Sequence, residues 1–314
     1  MAMIVRLSVF AALVGALVNA TPASALVNRA FVSSGGADSG TCGAVTAPCR
    51  TLQYAHDNII NAGGEIDIVN TGEYGPLTIT KAVTVANQKS GVASVTQPKA
   101  SASAIWIKAG AGDVVVLRGL EIDGEWAAAT GVYFQSAGSL QVVDCVVRRF
   151  KGNGLFATPP AWGKLVMTNV SVSDIGGNGV TINPTGGFAG SFQQLRFSNL
   201  QNAFELSGRA APAGSPIYSL VTDSMASGVT TGFLSTSIAG AATPTLALDS
   251  VRVSGAGTGL IANRGNIRLS KSLILGNGTG ATMSSGAIYS NKNNAISDNG
   301  RNVVGGTLTQ LSLD

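Results

Sequence analysis

Residues 169–182, NVSVSDIGGNGVTI, alternate apolar and polar side chains, break at a glycine cluster, and alternate again. Val170, Val172, Val180 and Ile182 fall on one side of that alternation, and Ser171, Thr181 and Asn183 on the other. A period of two belongs to a β-strand with one buried face. The phrase is also one copy of a repeat. A polar or glycine turn precedes a short apolar run at Gly119, Asp144, Asn169 and Gln194, in three steps of 25 residues. Later copies at Asp223, Asp249 and Lys271 follow in steps of 29, 26 and 22. A second marker, a small residue before an apolar one, keeps the same rhythm at Gly131, Gly154, Gly179, Ala203, Gly232 and Gly259.

A fixed period of 20–50 residues marks a stacked or radial repeat. Each unit here holds three short strand patterns, as in KLVMT, VSVS and GVTIN. Helical repeats need longer runs at period 3.6, and propeller blades need about 40 residues. The pattern therefore predicts an all-β, single-stranded parallel β-helix with three short strands and about 25 residues per coil. Each coil lies about 4.8 Å above the last, and only stacking buries its apolar side. The one-residue corner at Asp144 or Asn169 suits a left-handed backbone, which Gly, Asn and Asp tolerate best. Vertical Asn or Asp neighbours could also hydrogen-bond from coil to coil.

The composition agrees with such a solenoid. Charged residues make up 11% of the chain, below the usual ~25%, and 41 of 314 residues are glycine. The formal net charge is +4, or +3 without Arg6. No basic run interleaves with aromatics, so nucleic acid is not an expected partner. Residues 1–25 read as a secretory signal peptide: Arg6, an apolar run and the small pair Ala23 and Ala25. The run is short for a membrane span, so the expected product is exported, periplasmic or extracellular, and does not span a membrane.

In an exported chain Cys42 and Cys49 are expected to form a disulfide, and Cys145 to be a buried, inert thiol. Residues 26–64 form the N-terminal segment. Within it 51–64 read as a capping helix, with Thr51 as its N-cap, Leu52, Ala55 and Ile59 on its buried face, and Gly63 at its end. Coils fill 65–284, starting with EIDIV, PLTIT and VTVAN, and 87–103 is the longest turn insertion. Residues 285–314 form a final irregular coil and a C-terminal cap.

The stretch from Ala30 to Val85, AFVSSGGADSGTCGAVTAPCRTLQYAHDNIINAGGEIDIVNTGEYGPLTITKAVTV, resembles the opening of exported bacterial right-handed parallel β-helix proteins of the pectin-lyase-like superfamily. AIYSNKNNAISDNG resembles their closing coil. The resemblance covers nearly all of the chain after residue 25. It implies right-handed coiling and a ligand groove along the strand after the glycine cluster, but it carries no activity with it. Polygalacturonase-like members carry paired aspartates and a G-H-G motif, whereas this chain has no Asp-Asp pair and one histidine, His56. The R-x-P-x-x-R motif of pectate-lyase-like members is also missing.

The repeat itself names candidate ligand residues. One outward column on the third strand is predicted to run Asp67, Trp106, Tyr133, Phe156, Thr181, Glu205, Leu234, Ile261. Its three aromatics offer apolar area with a polar edge, which suits the apolar faces of sugars, unless a turn at 87–103 or 159–164 folds over them. Asp67 and Glu205 stand too far apart for glycosidase carboxylates, and Glu65 and Asp67 sit at the capped end. A second cluster lies one strand earlier, where Glu121 and Asp123 face Arg148 of the next coil. Its simplest reading is a surface ion pair; its catalytic reading is a polysaccharide lyase with Ca²⁺ on the acids and Arg148 as base. The leading expectation is an exported, non-catalytic protein without a cofactor. It binds polysaccharide or another extended ligand through Trp106, Tyr133, Phe156, Thr181 and Glu205. The alternatives are that lyase, or a surface adhesion scaffold.

Overall fold

The computed structural model describes residues 26–311, so the signal segment lies outside the described residues. The strands wind into a parallel β-helix. First strands stack into a 12-stranded sheet, while second and third strands, joined through their shared corners, form an 18-stranded one. The opening phrase splits as read: Gly163–Thr168, Ser171–Ile175 and Val180–Ile182 are the three strands of one coil.

Vertical register is set by the buried side chains. Val132 pairs with Leu155, Leu155 with Val180, and Val180 with Phe204. The column continues through Phe233, Leu260 and Ala281. All seven side chains are buried. Each larger one contributes about 1.5–3 kcal/mol by leaving water, and none could do so without the coil above or below. The small residue before this column has its own cause. A Cβ on Gly154 would lie 2.6 Å from the Gly179 carbonyl oxygen and 2.7 Å from Val172. The backbone corner of one coil leaves no room there for a larger group.

The left-handed corners are present. Positive φ occurs at Gly119, Asp144, Asn169, Gln194, Asp223, Ser250 and Lys271. One marker needs correction: the sixth corner is Ser250, because Asp249 is still in the strand Thr245–Asp249. The Asn169 side-chain amide donates to Asp144 Oδ1 at 2.7 Å, the expected coil-to-coil bond. Cys145 follows such a corner, is buried, and its thiol pKa is pushed up to about 11 by burial.

The N-terminal cap is shorter than the pattern suggests. Thr51 Oγ1 accepts from the Tyr54 N–H at 3.1 Å, and Leu52, Ala55 and Ile59 are buried. The helix stops at Ile59, however, and not at Gly63. Ile60 turns extended and pairs with Val27, so a ladder bond replaces a further helical turn. Gly63, at φ +81°, sits instead in a bulge between the Val27–Ile60 and Arg29–Glu65 pairs. The helix also closes the open edge of the strand Leu77–Ile79. Gln53 accepts from the Thr78 N–H at 2.7 Å and donates to its carbonyl at 3.2 Å, while His56 Nε2 accepts from the Thr80 N–H at 3.3 Å. An unpaired strand edge invites pairing with another chain, and these side chains occupy it. The Cys42–Cys49 disulfide is formed just ahead of this helix.

Two further boundaries differ from the sequence reading. EIDIV and VTVAN are not strands of one coil; they pair with each other and begin successive coils. The long insertion at 87–103 contains a strand, Ala93–Thr96, with Val95 stacked under Ile122. Its small Ala and Ser residues hide the alternation that buries Ala93 and Val95. The final coil stays in register, with Ala281 paired to Val303 and Ile274 to Ile296.

Candidate functional site

On the strands that carry the inner column, every intervening residue faces outward. That outer column runs Thr78, Trp106, Tyr133, Phe156, Thr181, Glu205, Leu234, Ile261 and Thr282. Asp67 does not belong to it. It lies in the first-strand sheet beside Ala86, where Arg29 and Gln88 donate to it. The strands around Asp67 and Thr78 alternate equally well, so the pattern alone could not say which one opens the column.

The three aromatics form a continuous stack. Ring centroids are 5.9 Å apart from Trp106 to Tyr133 and 5.6 Å from Tyr133 to Phe156, with planes 19° and 20° from parallel. This is an offset stack, favoured by the ring quadrupoles. All three are half-buried. Trp162, from the 159–164 turn, is itself exposed and leans on Gly187 of the next coil.

The stack has its own polar supports. The Trp106 indole N–H donates to Gln135 Oε1 at 2.9 Å. The Thr158 hydroxyl donates to the Tyr133 hydroxyl at 3.2 Å. Lys108 places its ammonium 3.2 Å from the Trp106 ring centroid, a cation–π contact. Beside Trp106 opens a cleft of about 500 Å³, lined by Gln53, Pro76, Thr78, Gln97, Ser103 and Tyr133 among others. The 97–103 turn lines this cleft together with Trp106 and Tyr133.

One coil beyond Phe156 the column turns polar. Thr181 is outward in register yet buried, because Asn178 donates to its hydroxyl at 3.0 Å and it in turn reaches Asn153 at 3.4 Å. Asn178 also donates to Glu205 at 2.9 Å. Burial raises the Glu205 pKa above the ordinary carboxylate range, with Arg209 and the Asn178 bond opposing it. Asn202 extends the amide chain by donating to Asn178 at 3.0 Å.

The second cluster is assembled as expected, with one addition. Arg148 donates to Glu121 and, at 3.0 Å, to Asp123. Arg149 also grips Asp123, its Nε 2.9 Å from Oδ1. Alternation would have turned Arg149 inward. Its φ of +61° makes it a corner residue and swings the guanidinium outward. Asp123 is buried, which by itself would raise its pKa. The hydrogen bonds from Arg149 and the Glu125 N–H, with the charges of Arg149 and Arg148, outweigh that and hold it below the usual range. Two carboxylates and two guanidiniums sum to zero charge. A Ca²⁺ ion bound there would have to displace arginine from acids already satisfied. Among the described residues there is no group of three or more His, Cys, Asp or Glu side chains placed to share a metal.

No protein-family model matches the chain, and a search of curated proteins finds no sequence relative. Solved structures match it by shape. An alginate lyase from Paenibacillus sp. str. FPU-7 superposes with a TM-score of 0.56 at 10% identity, over 82% of this chain and 96% of that one. A GH136 lacto-N-biosidase from Eubacterium ramulus superposes with a TM-score of 0.51 at 9% identity, over 91% of this chain and 68% of that one. At such identities the likeness is one of fold alone, the parallel β-helix.

Proposed function

We propose that this chain is an exported polysaccharide-binding β-helix. Its ligand lies along the third-strand face, across Trp106, Tyr133, Phe156, Thr181 and Glu205. The observation that carries the reading is the ring stack. Stacking of the coils requires only the inner column, so three consecutive large aromatics on the outer side need another reason. Two fold neighbours with names that denote action on alginate and on an oligosaccharide support it. The disulfide supports an oxidising, extracytoplasmic location, and no helix among the described residues is long and apolar enough to cross a membrane. Affinity electrophoresis through gels carrying different polysaccharides tests the reading. Retention of the wild type that disappears in the Trp106→Ala, Tyr133→Ala double variant supports it. Retention unchanged in the variant, or absent from the wild type on every polymer, contradicts it.

A second reading, a polysaccharide lyase, is favoured by one observation: Glu121, Asp123 and Arg148 do meet. In that reading the acids hold Ca²⁺ and Arg148 takes the proton. A Ca²⁺-dependent rise in ultraviolet absorbance from an unsaturated product, lost in Arg148→Ala, is its signature. The saturation of Asp123 by two arginines makes the cluster a stronger corner clamp than cation site, and the binding reading is preferred.

A further inference from the structure

We infer that the ligand of the aromatic face is a neutral, hydroxyl-rich glycan and not a uronic-acid polymer. This rests on the binding reading and adds its chemical class. Apart from Lys108 on Trp106, the side chains flanking the column are amides and hydroxyls: Gln135 and Thr158 on one side, Asn153 and Asn178 on the other. Amides and hydroxyls both donate and accept, which matches sugar hydroxyls that do the same.

Charge on the face points the same way. Recognition of carboxylates favours arginine forks with free N–H groups. Two cations of this face are already engaged: Lys108 is seated on Trp106, and Arg209 donates to Thr236 at 3.1 Å and balances Glu205. Glu205 itself sits in the path of an extended chain and would repel a polyanion while accepting from a hydroxyl. The ring centroids recur at 5.9 and 5.6 Å, comparable with one pyranose of an extended glycan.

The test is affinity electrophoresis on neutral polymers (β-glucan, xylan, galactomannan) and acidic ones (alginate, polygalacturonate), at low and high ionic strength. The inference expects retention on at least one neutral polymer. That retention should be insensitive to salt, because no ion pair is screened, and about tenfold weaker in Gln135→Ala, the loss of roughly one hydrogen bond to ligand. Retention on acidic polymers alone, falling with salt and lost in Trp106→Ala, overturns the neutral class and leaves the face standing. Retention on acidic polymers that survives Trp106→Ala overturns both the class and the face, as does retention on none. Circular dichroism of each variant confirms that the β-helix is intact.

Discussion

The inner and outer columns of the third strands share one backbone and answer to different demands. Val132, Leu155, Val180 and Phe204 are apolar because each must fill the space between two coils. Tyr133, Phe156, Thr181 and Glu205, one residue further along each strand, face the other way, and no stacking requirement selects them. The inner column is accordingly monotonous and aliphatic-to-aromatic throughout. The outer one runs through rings, hydroxyl and carboxylate to Leu234 and Ile261. A change on the inside should therefore be felt as stability, and a change on the outside as loss of ligand.

The sharpest way to break this contrast is a pair of neighbours. Leu155→Ala removes a fully buried side chain and is expected to cost about 2–5 kcal/mol, read as a lower denaturation midpoint. Phe156→Ala, on the solvent side, is expected to cost less than half as much. Equal losses would erase the distinction.

A smaller effect is expected at the corner clamp. Asp123→Ala leaves Arg148 and Arg149 without their shared partner, but both reach solvent, so the cost is about 1–3 kcal/mol. Because Asp123 titrates below its ordinary value, its contribution is complete above the unfolded pKa of about 4 and fades as pH falls below it. The variant should lack that acid-side decline.

His56 gives a separate step. Burial lowers its pKa, against the opposing Asp57 contact. Protonation would also cost Nε2 its role as acceptor from Thr80. The neutral form is the one the fold favours, so stability should be full above about pH 6.5 and decline as pH drops from there toward the lowered folded value. A melting temperature followed between neutral and mildly acid pH, in wild type and His56→Gln, checks this. A wild type insensitive across that window would contradict it.

The smallest expected effect is favourable. Ser250 holds a left-handed backbone at φ +58°. Ser250→Gly should raise stability by about 0.5–1 kcal/mol, because glycine adopts that backbone without Cβ strain.

Much of this architecture was legible in the residues. Period-two alternation named the inner column correctly because burial is a one-sided constraint that repeats with every coil. The corners were legible because few residues tolerate a left-handed backbone. Alternation fails where the chain turns. Arg149 has a left-handed backbone and Asn178 lies in the turn between two strands, so their contacts with Asp123 and Glu205 do not follow from strand parity. Asp67 was misplaced because two alternating strands of one coil are indistinguishable without knowing which sheet each joins. The lean of Trp106, Tyr133 and Phe156 onto one another is set by side-chain torsions, which no spacing encodes. Lys108 and Gln135, by contrast, stand two residues beyond a ring on the same face and could have been read from parity.

The most direct test replaces Tyr133 and Phe156 together by threonine, the residue that this same outer column carries at Thr181 and Thr282. The account predicts a melting temperature within a few degrees of wild type and a complete loss of polysaccharide retention. Retained binding, or collapse of the fold, would show that the rings serve the β-helix itself and not a ligand.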